Sequence, residues 1–131
     1  MNNILASICM SFLLFACSDS ENVEVGNKTE MEVQSVVDAG KVMLGEIVHA
    51  SFTVKNTGDY PLILAEVKGS CTCTVAEYPK DPITPGESAT IKANIKTDRA
   101  SPGTLSKEVR IVANTDPSIT PVLIKANVVR K

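Results

Sequence analysis

Four stretches of this 131-residue chain alternate apolar and polar residues with a period of two. In an extended strand such alternation places one set of side chains on each face, so it predicts strands with one buried face. The predicted buried faces are Val48, Ala50, Phe52 and Val54; Ala89, Ile91, Ala93 and Ile95; Leu105, Val109 and Ile111; and Val122, Ile124, Ala126 and Val128. No stretch has the sustained apolar stripe of a capped helix. The pattern therefore predicts an all-β domain.

Turn-forming residues separate these stretches. Asn56 and Gly58 close the first one, because Asn can cap a turn with its side chain and Gly accepts a positive φ. Pro85 and Gly86 suit the central positions of a type II turn. We assign these four residues to architecture. Two further turn signals are Ser101-Pro102-Gly103 and Asn114-Thr115-Asp116-Pro117. About seven short strands divided in this way predict an Ig-like β-sandwich.

Composition narrows the class of protein further. The length fits a single domain, and the apolar content of 44% is that of a globular chain. Aromatic residues make up only 4%, so the core is predicted to be mainly aliphatic. The net charge of −2 comes without a clustered basic face, which argues against a nucleic-acid partner.

The N-terminus resembles a lipoprotein signal. The apolar segment Ile4 to Ala16 is too short to span a bilayer, which needs about 20 residues, but it suits a secretory signal. Its end, Leu14-Phe15-Ala16-Cys17, resembles a bacterial lipobox, in which the Cys carries lipid and becomes the mature N-terminus. We predict a signal peptide over 1–16 and acyl lipid on Cys17, with no other cofactor. A plain signal peptide or a buried N-terminal strand is the alternative.

The next residues, 17–35, are predicted to form a flexible acidic tether, with the domain occupying 36–131. They contain few large apolar residues, so ordering them would not be offset by burial. Ser18-Asp19-Ser20-Glu21-Asn22 also resembles the acidic tags that direct some Bacteroidetes lipoproteins to the cell surface, although a solvated tether is the simpler interpretation. The expected location is the cell envelope, as an outer-membrane lipoprotein facing the periplasm or the cell surface.

Several short motifs occur together in one order. They are Phe52-Thr53-Val54-Lys55-Asn56-Thr57-Gly58-Asp59, Pro61-Leu62, Ser70-Cys71-Thr72-Cys73-Thr74, Ile83-Thr84-Pro85-Gly86-Glu87, Gly103 and Asn114-Thr115. This set resembles the DUF1573 domain family of bacterial secreted proteins and lipoproteins, over roughly residues 36–129. The family is similar to Ig-like domains of the major-sperm-protein and hydin type. The resemblance implies fold and location rather than activity. Thr72 departs from the Gly that the family usually has between its two Cys.

Cys71 and Cys73 are the candidate site for chemistry. In an extended strand their Cα atoms would be roughly 6.5–7 Å apart, so a disulfide requires the backbone to bend. Three alternatives remain open: a disulfide, an unremarkable pair of thiols, or a functional site for thiol exchange or soft metals such as Cu(I) or Zn. His49, the only His, is predicted on a polar face.

The remaining motifs do not favour an enzyme. A Ser or Cys triad needs a His base beside the nucleophile, and nothing in the sequence orients His49. The leading hypothesis is a non-catalytic, lipid-anchored module that presents strand edges and loops to an envelope protein partner. The alternative is a thiol-redox or soft-metal protein that acts through Cys71 and Cys73.

Overall fold

The structure is a computed structural model that describes residues 26–130. The predicted signal peptide, Cys17 and the start of the predicted tether lie outside these residues. Within them the chain forms eight strands and no helix, so no helix could cross a membrane. The strands are β1 (Met31–Val33), β2 (Val36–Met43), β3 (Ile47–Asn56), β4 (Leu64–Gly69), β5 (Thr74–Glu77), β6 (Ser88–Lys96), β7 (Gly103–Ala113) and β8 (Ile119–Val129).

The strands form two four-stranded sheets. Sheet A has the order β1-β3-β6-β5, and sheet B has the order β2-β8-β7-β4. All pairings are antiparallel except that of β2 with β8, which is parallel. The predicted all-β sandwich is confirmed, with eight strands where the sequence predicted about seven.

The core lies between the inner faces of the two sheets and follows the predicted alternation. In sheet A, Phe52 lies opposite Ile91, and in sheet B, Val109 lies opposite Val122. The most deeply buried apolar side chains are Leu62, Ile91, Ile95, Ile111, Ile124, Val54, Val109, Val122 and Val128. Burying one such side chain stabilises a fold by about 1.5–3 kcal/mol, so these faces hold the sheets together. Phe52 is the only aromatic residue of the buried core, as the composition suggested.

The sandwich begins before residue 36, so the predicted domain boundary is wrong. Thr29 is buried, and β1 pairs with β3 through Met31 opposite Asn56. The Thr29 amide donates to the Asn114 carbonyl at 2.9 Å. This mostly polar segment is held by specific hydrogen bonds to distant parts of the chain, together with Met31 and Val33, which are partly buried against the core. Composition therefore could not distinguish it from a solvated tether.

Asn56 connects this N-terminal segment to the rest of the sandwich. Its side chain is completely buried, and its Oδ1 accepts from the Thr29 hydroxyl at 2.9 Å and from the Gly58 amide at 3.0 Å. Its Nδ2 donates to the carbonyls of Tyr60 at 2.7 Å and Ile83 at 2.8 Å. One side chain thus joins three separate parts of the chain, and the architectural role assigned to Asn56 has a physical basis.

Gly58 and Gly86, the two glycines predicted in turns, are required for different reasons. Gly86 has a φ of 84°, and the Glu87 amide donates to the Thr84 carbonyl at 3.0 Å, as in a type II turn with Pro85 before the Gly. Gly58 is not in the left-handed region. A Cβ there would overlap the Thr29 hydroxyl and the Glu30 amide, so Gly58 is required by the close approach of the N-terminal segment.

We expect Asn56→Ala to lower the free energy of unfolding by about 3 kcal/mol, since each buried polar group left unpaired costs about 1–3 kcal/mol. Urea denaturation followed by circular dichroism measures the change. The matched control is Asn127→Ala, because Asn127 is exposed on β8. If both variants unfolded within about 0.5 kcal/mol of the parent, the role of Asn56 would be refuted.

Candidate functional site

Residues 70–73 form a turn that carries the chain from one sheet to the other. The turn joins β4, at the edge of sheet B, to β5, at the edge of sheet A. At its start the Ser70 amide donates to the Glu108 carbonyl of β7 at 2.9 Å, and at its end the Lys96 amide of β6 donates to the Cys73 carbonyl at 2.9 Å. Each end of the turn is therefore attached to a different sheet.

Cys71 and Cys73 form a disulfide in this turn, with their Cα atoms 5.3 Å apart. This separation lies within the usual range for disulfides, roughly 4.4–6.8 Å. The strand-like spacing considered from the sequence does not occur, because the Thr74 amide donates to the Cys71 carbonyl at 3.2 Å and bends the backbone. The Thr72 side chain at the tip is exposed. Of the three sequence-based alternatives, the structure contains the bonded arrangement; the oxidation state in the cell stays a prediction.

The two sulfur atoms have different surroundings. Both cysteines are half-buried, but only Cys73 is among the residues that pack against the hydrophobic core. Thr74 is buried, and its Oγ1 lies 3.7 Å from the Cys71 Sγ and 3.9 Å from the Cys73 Sγ. A buried hydroxyl is thus in reach of both sulfurs.

Gly69 makes this position of Thr74 possible. A Cβ on Gly69 would overlap the Thr74 side chain, so only Gly lets the two residues approach so closely. Thr74 and Gly69 were not assigned to the site from the sequence. A Gly inside a strand can signal a close approach, but the sequence does not show which residue approaches it.

The disulfide closes a very short loop, with a sequence separation of 2. In the chain-entropy model, closing so short a loop contributes on the order of 1.5 kcal/mol, less than the 2–4 kcal/mol typical of disulfides. The apolar core, not this disulfide, therefore accounts for most of the stability of the sandwich.

His49 is not part of this turn. It is exposed on β3, and its Nδ1 lies 2.7 Å from the Asn94 Oδ1 on the neighbouring strand β6. Since β6 lies between β3 and β5, these two strands are roughly 10 Å apart. Across residues 26–130, no three His, Cys, Asp or Glu side chains form a group that could hold a metal. The structure thus brings no third ligand to the cysteines.

A shallow open groove of about 470 Å³ lies beside the turn, on sheet B. Its lining includes Glu66, Lys68 and Arg110, together with the apolar residues Val112 and Ile119. Lys68 lies directly opposite Arg110, and the Arg110 Nε is 3.2 Å from the exposed Glu108 carboxylate. The groove carries both signs of charge without a nucleophile paired to a base, so it does not have the arrangement of a hydrolytic site.

These features define a small Ig-like β-sandwich with a disulfide at one sheet-to-sheet connection. The chain belongs to the family described as "Protein of unknown function (DUF1573)", whose model matches residues 29–128. The match begins at the buried Thr29, in agreement with the earlier start of the domain. No curated protein matches the sequence.

Solved structures share this fold at low identity. A protein of unknown function from Porphyromonas gingivalis W83 has a TM-score of 0.68 and 19% identity over 83% of this chain and 51% of its own. The ASH / PapD-like domain 7 of human CEP192 has a TM-score of 0.63 and 6% identity over 79% and 88%. The secreted serine protease VesC from Vibrio cholerae has a TM-score of 0.59 and 11% identity over 76% and 23%.

The likeness to these structures is one of fold alone. The chain spans about half the length of the Porphyromonas protein and about a quarter of the Vibrio protease. The CEP192 domain is matched over nearly its whole length and supports the predicted Ig-like sandwich fold.

We expect the double variant Cys71→Ser/Cys73→Ser to remain folded and to lose on the order of 1.5 kcal/mol of unfolding free energy, because the closed loop is short. Urea denaturation measures the loss. Reducing the parent protein with dithiothreitol should give the same shift and should leave the double variant unchanged. A loss above about 4 kcal/mol would instead make the disulfide a principal support of the fold.

Proposed function

We propose that this protein is a non-catalytic, lipid-anchored module of the cell envelope that binds a protein partner by β-strand addition at β5. Strand addition uses the unpaired backbone groups of a sheet edge, and neighbouring side chains supply selectivity. The observation that carries the proposal is the regular, exposed edge that β5 presents, in contrast to the other three edges.

The other edges have features that hinder pairing. β1 has only three residues and pairs with β3 only at Val54–Asn56; the rest of β3 carries the polar His49, Ser51 and Thr53 on its outer face. β2 has a register shift between Asp38 and Lys41, and β4 has one between Leu64 and Glu66. Bulges, polar side chains and short length are the usual protection of edge strands. β5 is also short, at four residues, but it pairs with β6 in unbroken register and carries an exposed apolar side chain.

The backbone of β5 has free groups on its outer side. The Cys73 carbonyl accepts from Lys96 on β6, and hydrogen-bonded pairs alternate along an antiparallel ladder. The backbone amides and carbonyls of Val75 and Glu77 therefore point toward β6, whereas those of Thr74 and Ala76 point away from it. The Thr74 amide is bonded to Cys71. The Ala76 amide and carbonyl and the Thr74 carbonyl are left to meet an added strand.

The side chains of β5 indicate the kind of partner. Val75 is 54% exposed on the outer face of sheet A. Neither Lys nor Pro, which often protect edges, occurs within β5. The partner is an extended protein segment with an apolar residue beside Val75. Four residues support few hydrogen bonds, so the contact is expected to be weak and reversible.

The absence of catalysis is part of the proposal. The single His, His49, is paired with Asn94 on the outer face of sheet A rather than with a nucleophile. The serine protease that shares the fold is matched over only 23% of its length, so its protease activity is not carried over to this chain.

Anchoring through Cys17 also remains a proposal, supported by the lipobox-like sequence. The described chain starts beside Asn114, whose Nδ2 donates to the Asn27 carbonyl at 3.0 Å. This end of the sandwich also holds Asn56. The disulfide turn lies toward the other end, where Lys96 pairs with Ile47. An anchor attached before residue 26 would therefore leave the start of β5 accessible.

Photocrosslinking in cells tests strand addition. With p-benzoylphenylalanine at Glu77, we expect a discrete protein adduct whose yield falls at least fivefold in Ala76→Pro, which removes the outward amide without removing a ladder bond. Val75→Lys should have a similar effect. The control is Ile119→Lys, since Ile119 is 48% exposed but belongs to β8 of the other sheet. An absent adduct, or one unaffected by Ala76→Pro, would contradict the proposal.

Mass spectrometry tests the anchor separately. The protein isolated from its native membrane should start at Cys17 and carry acyl lipid, and Cys17→Ser should abolish membrane retention. The control is Ser18→Ala, which changes the adjacent residue and leaves the thiol in place. An unmodified Cys17 in membrane-bound protein would refute lipidation.

A further inference from the structure

The disulfide turn has an asymmetry that strand addition does not explain. One sulfur packs on the core and the other does not, and a buried hydroxyl lies near both. We propose that Cys71–Cys73 is a thiol–disulfide exchange site that accepts two electrons from a dithiol of another protein, with the first attack at Cys71. This inference does not depend on partner binding at β5.

Access determines which sulfur is attacked. A thiolate attacks a disulfide in line, from the side opposite the sulfur that leaves. Cys73 is half-buried and packs against the core, which hinders approach to its sulfur. Cys71 is also half-buried but lies outside that cluster, so its sulfur is the easier one to reach. Cys71 is therefore the electrophile, and Cys73 is the leaving group.

The reaction balances with a dithiol as the only co-reactant. The incoming thiolate forms a bond to the Cys71 Sγ, the Cys71–Cys73 bond breaks, and its electron pair stays on the Cys73 Sγ as a thiolate. The second thiolate of the dithiol then attacks its own partner sulfur in the mixed disulfide and releases Cys71. The donor leaves as a disulfide, and Cys71 and Cys73 take up two protons from water.

Thr74 assists the departure of Cys73. Its Oγ1 is 3.9 Å from the Cys73 Sγ, within reach of a weak hydrogen bond to sulfur, and it is 3.7 Å from the Cys71 Sγ. A hydrogen bond to a charged group is stronger than one to a neutral group, so the hydroxyl stabilises the thiolate more than the disulfide. Packing against Gly69 holds the Thr74 side chain in this position.

The sandwich can retain its structure through this reaction. The turn stays attached to β7 through Ser70 and Glu108, and to β6 through Cys73 and Lys96, by backbone bonds that do not involve sulfur. Breaking the disulfide thus releases only the loop between these two attachments. Exchange sites need this local freedom, whereas a disulfide that holds distant segments would resist it.

Reduced glutathione serves as the probe of the attack site. The full protein is incubated with it, trapped with N-ethylmaleimide, and digested for mass spectrometry. We expect glutathione on Cys71 and N-ethylmaleimide on Cys73 in at least tenfold excess over the reverse. An equal or reversed distribution would overturn the assignment. Reduction slower than that of glutathione disulfide under the same conditions would overturn the exchange site itself.

Single-cysteine variants give a second measurement of the same asymmetry. The free Cys71 of Cys73→Ser should react with iodoacetamide at least tenfold faster than the free Cys73 of Cys71→Ser. Circular dichroism confirms that both variants are folded. Equal rates would show that packing does not distinguish the two sulfurs and would refute attack at Cys71.

The role of Thr74 is separable from its packing. Thr74→Val keeps the shape and removes the hydroxyl, and it should slow exchange at least fivefold and move the pH profile of thiol alkylation in the reduced protein upward. Thr74→Ser should restore both to within twofold of the parent, and Thr72→Val, at the exposed tip, should change neither. If Thr74→Ser were as slow as Thr74→Val, the hydroxyl would have no role.

Discussion

The burial of one aliphatic face from each sheet is the constraint on which the rest of the structure depends. With Phe52 as the only buried aromatic among residues 26–130, the sheets are held by many branched side chains of similar size. Such a core covers the inner faces but not the edges, where the chain must change from one sheet to the other. β1 leads into β2 across one side of the sandwich, and β4 leads into β5 across the other. The second of these crossings holds the only disulfide of the described residues.

The sequence predicted the core better than the termini and the site. Alternation located β3, β6 and β8 because a half-buried strand imposes a period of two on the choice of residues. It could not locate β1, since the strand has only three residues, of which Met31 and Val33 pack on the core, and Thr29 before it is held by hydrogen bonds to Asn56 and Asn114. The two cysteines of the motif could be recognised in the sequence. The bend between them, the role of Gly69 and the position of Thr74 depend on how the end of β4 packs against the start of β5. Those are properties of the folded backbone and not of local sequence.

The two proposals concern neighbouring parts of one connection. The Cys71 carbonyl accepts from the Thr74 amide, the first amide of β5, so the turn also fixes where the strand begins. In the oxidised protein this amide has a partner, and the outward backbone groups of β5 are limited to those that follow. The disulfide and the edge thus share a boundary at Thr74. Chemistry at the sulfurs and pairing at the strand are nevertheless distinct events, because the ladder to β6, which begins at the Cys73 carbonyl, is made by backbone groups and not by sulfur.

The bond between Asn27 and Asn114 joins residues that are 87 positions apart. Loop closure over such a distance costs more entropy than a local turn, and contacts of this kind slow folding. The segment that precedes β1 can find its final place only after β7 has been made and the turn that follows it has formed. During synthesis, which proceeds from the N-terminus, the first residues of the domain therefore wait for Asn114, near its other end, before all their hydrogen bonds can form. An incomplete chain that stops before Asn114 lacks this hydrogen-bond partner for its first residues.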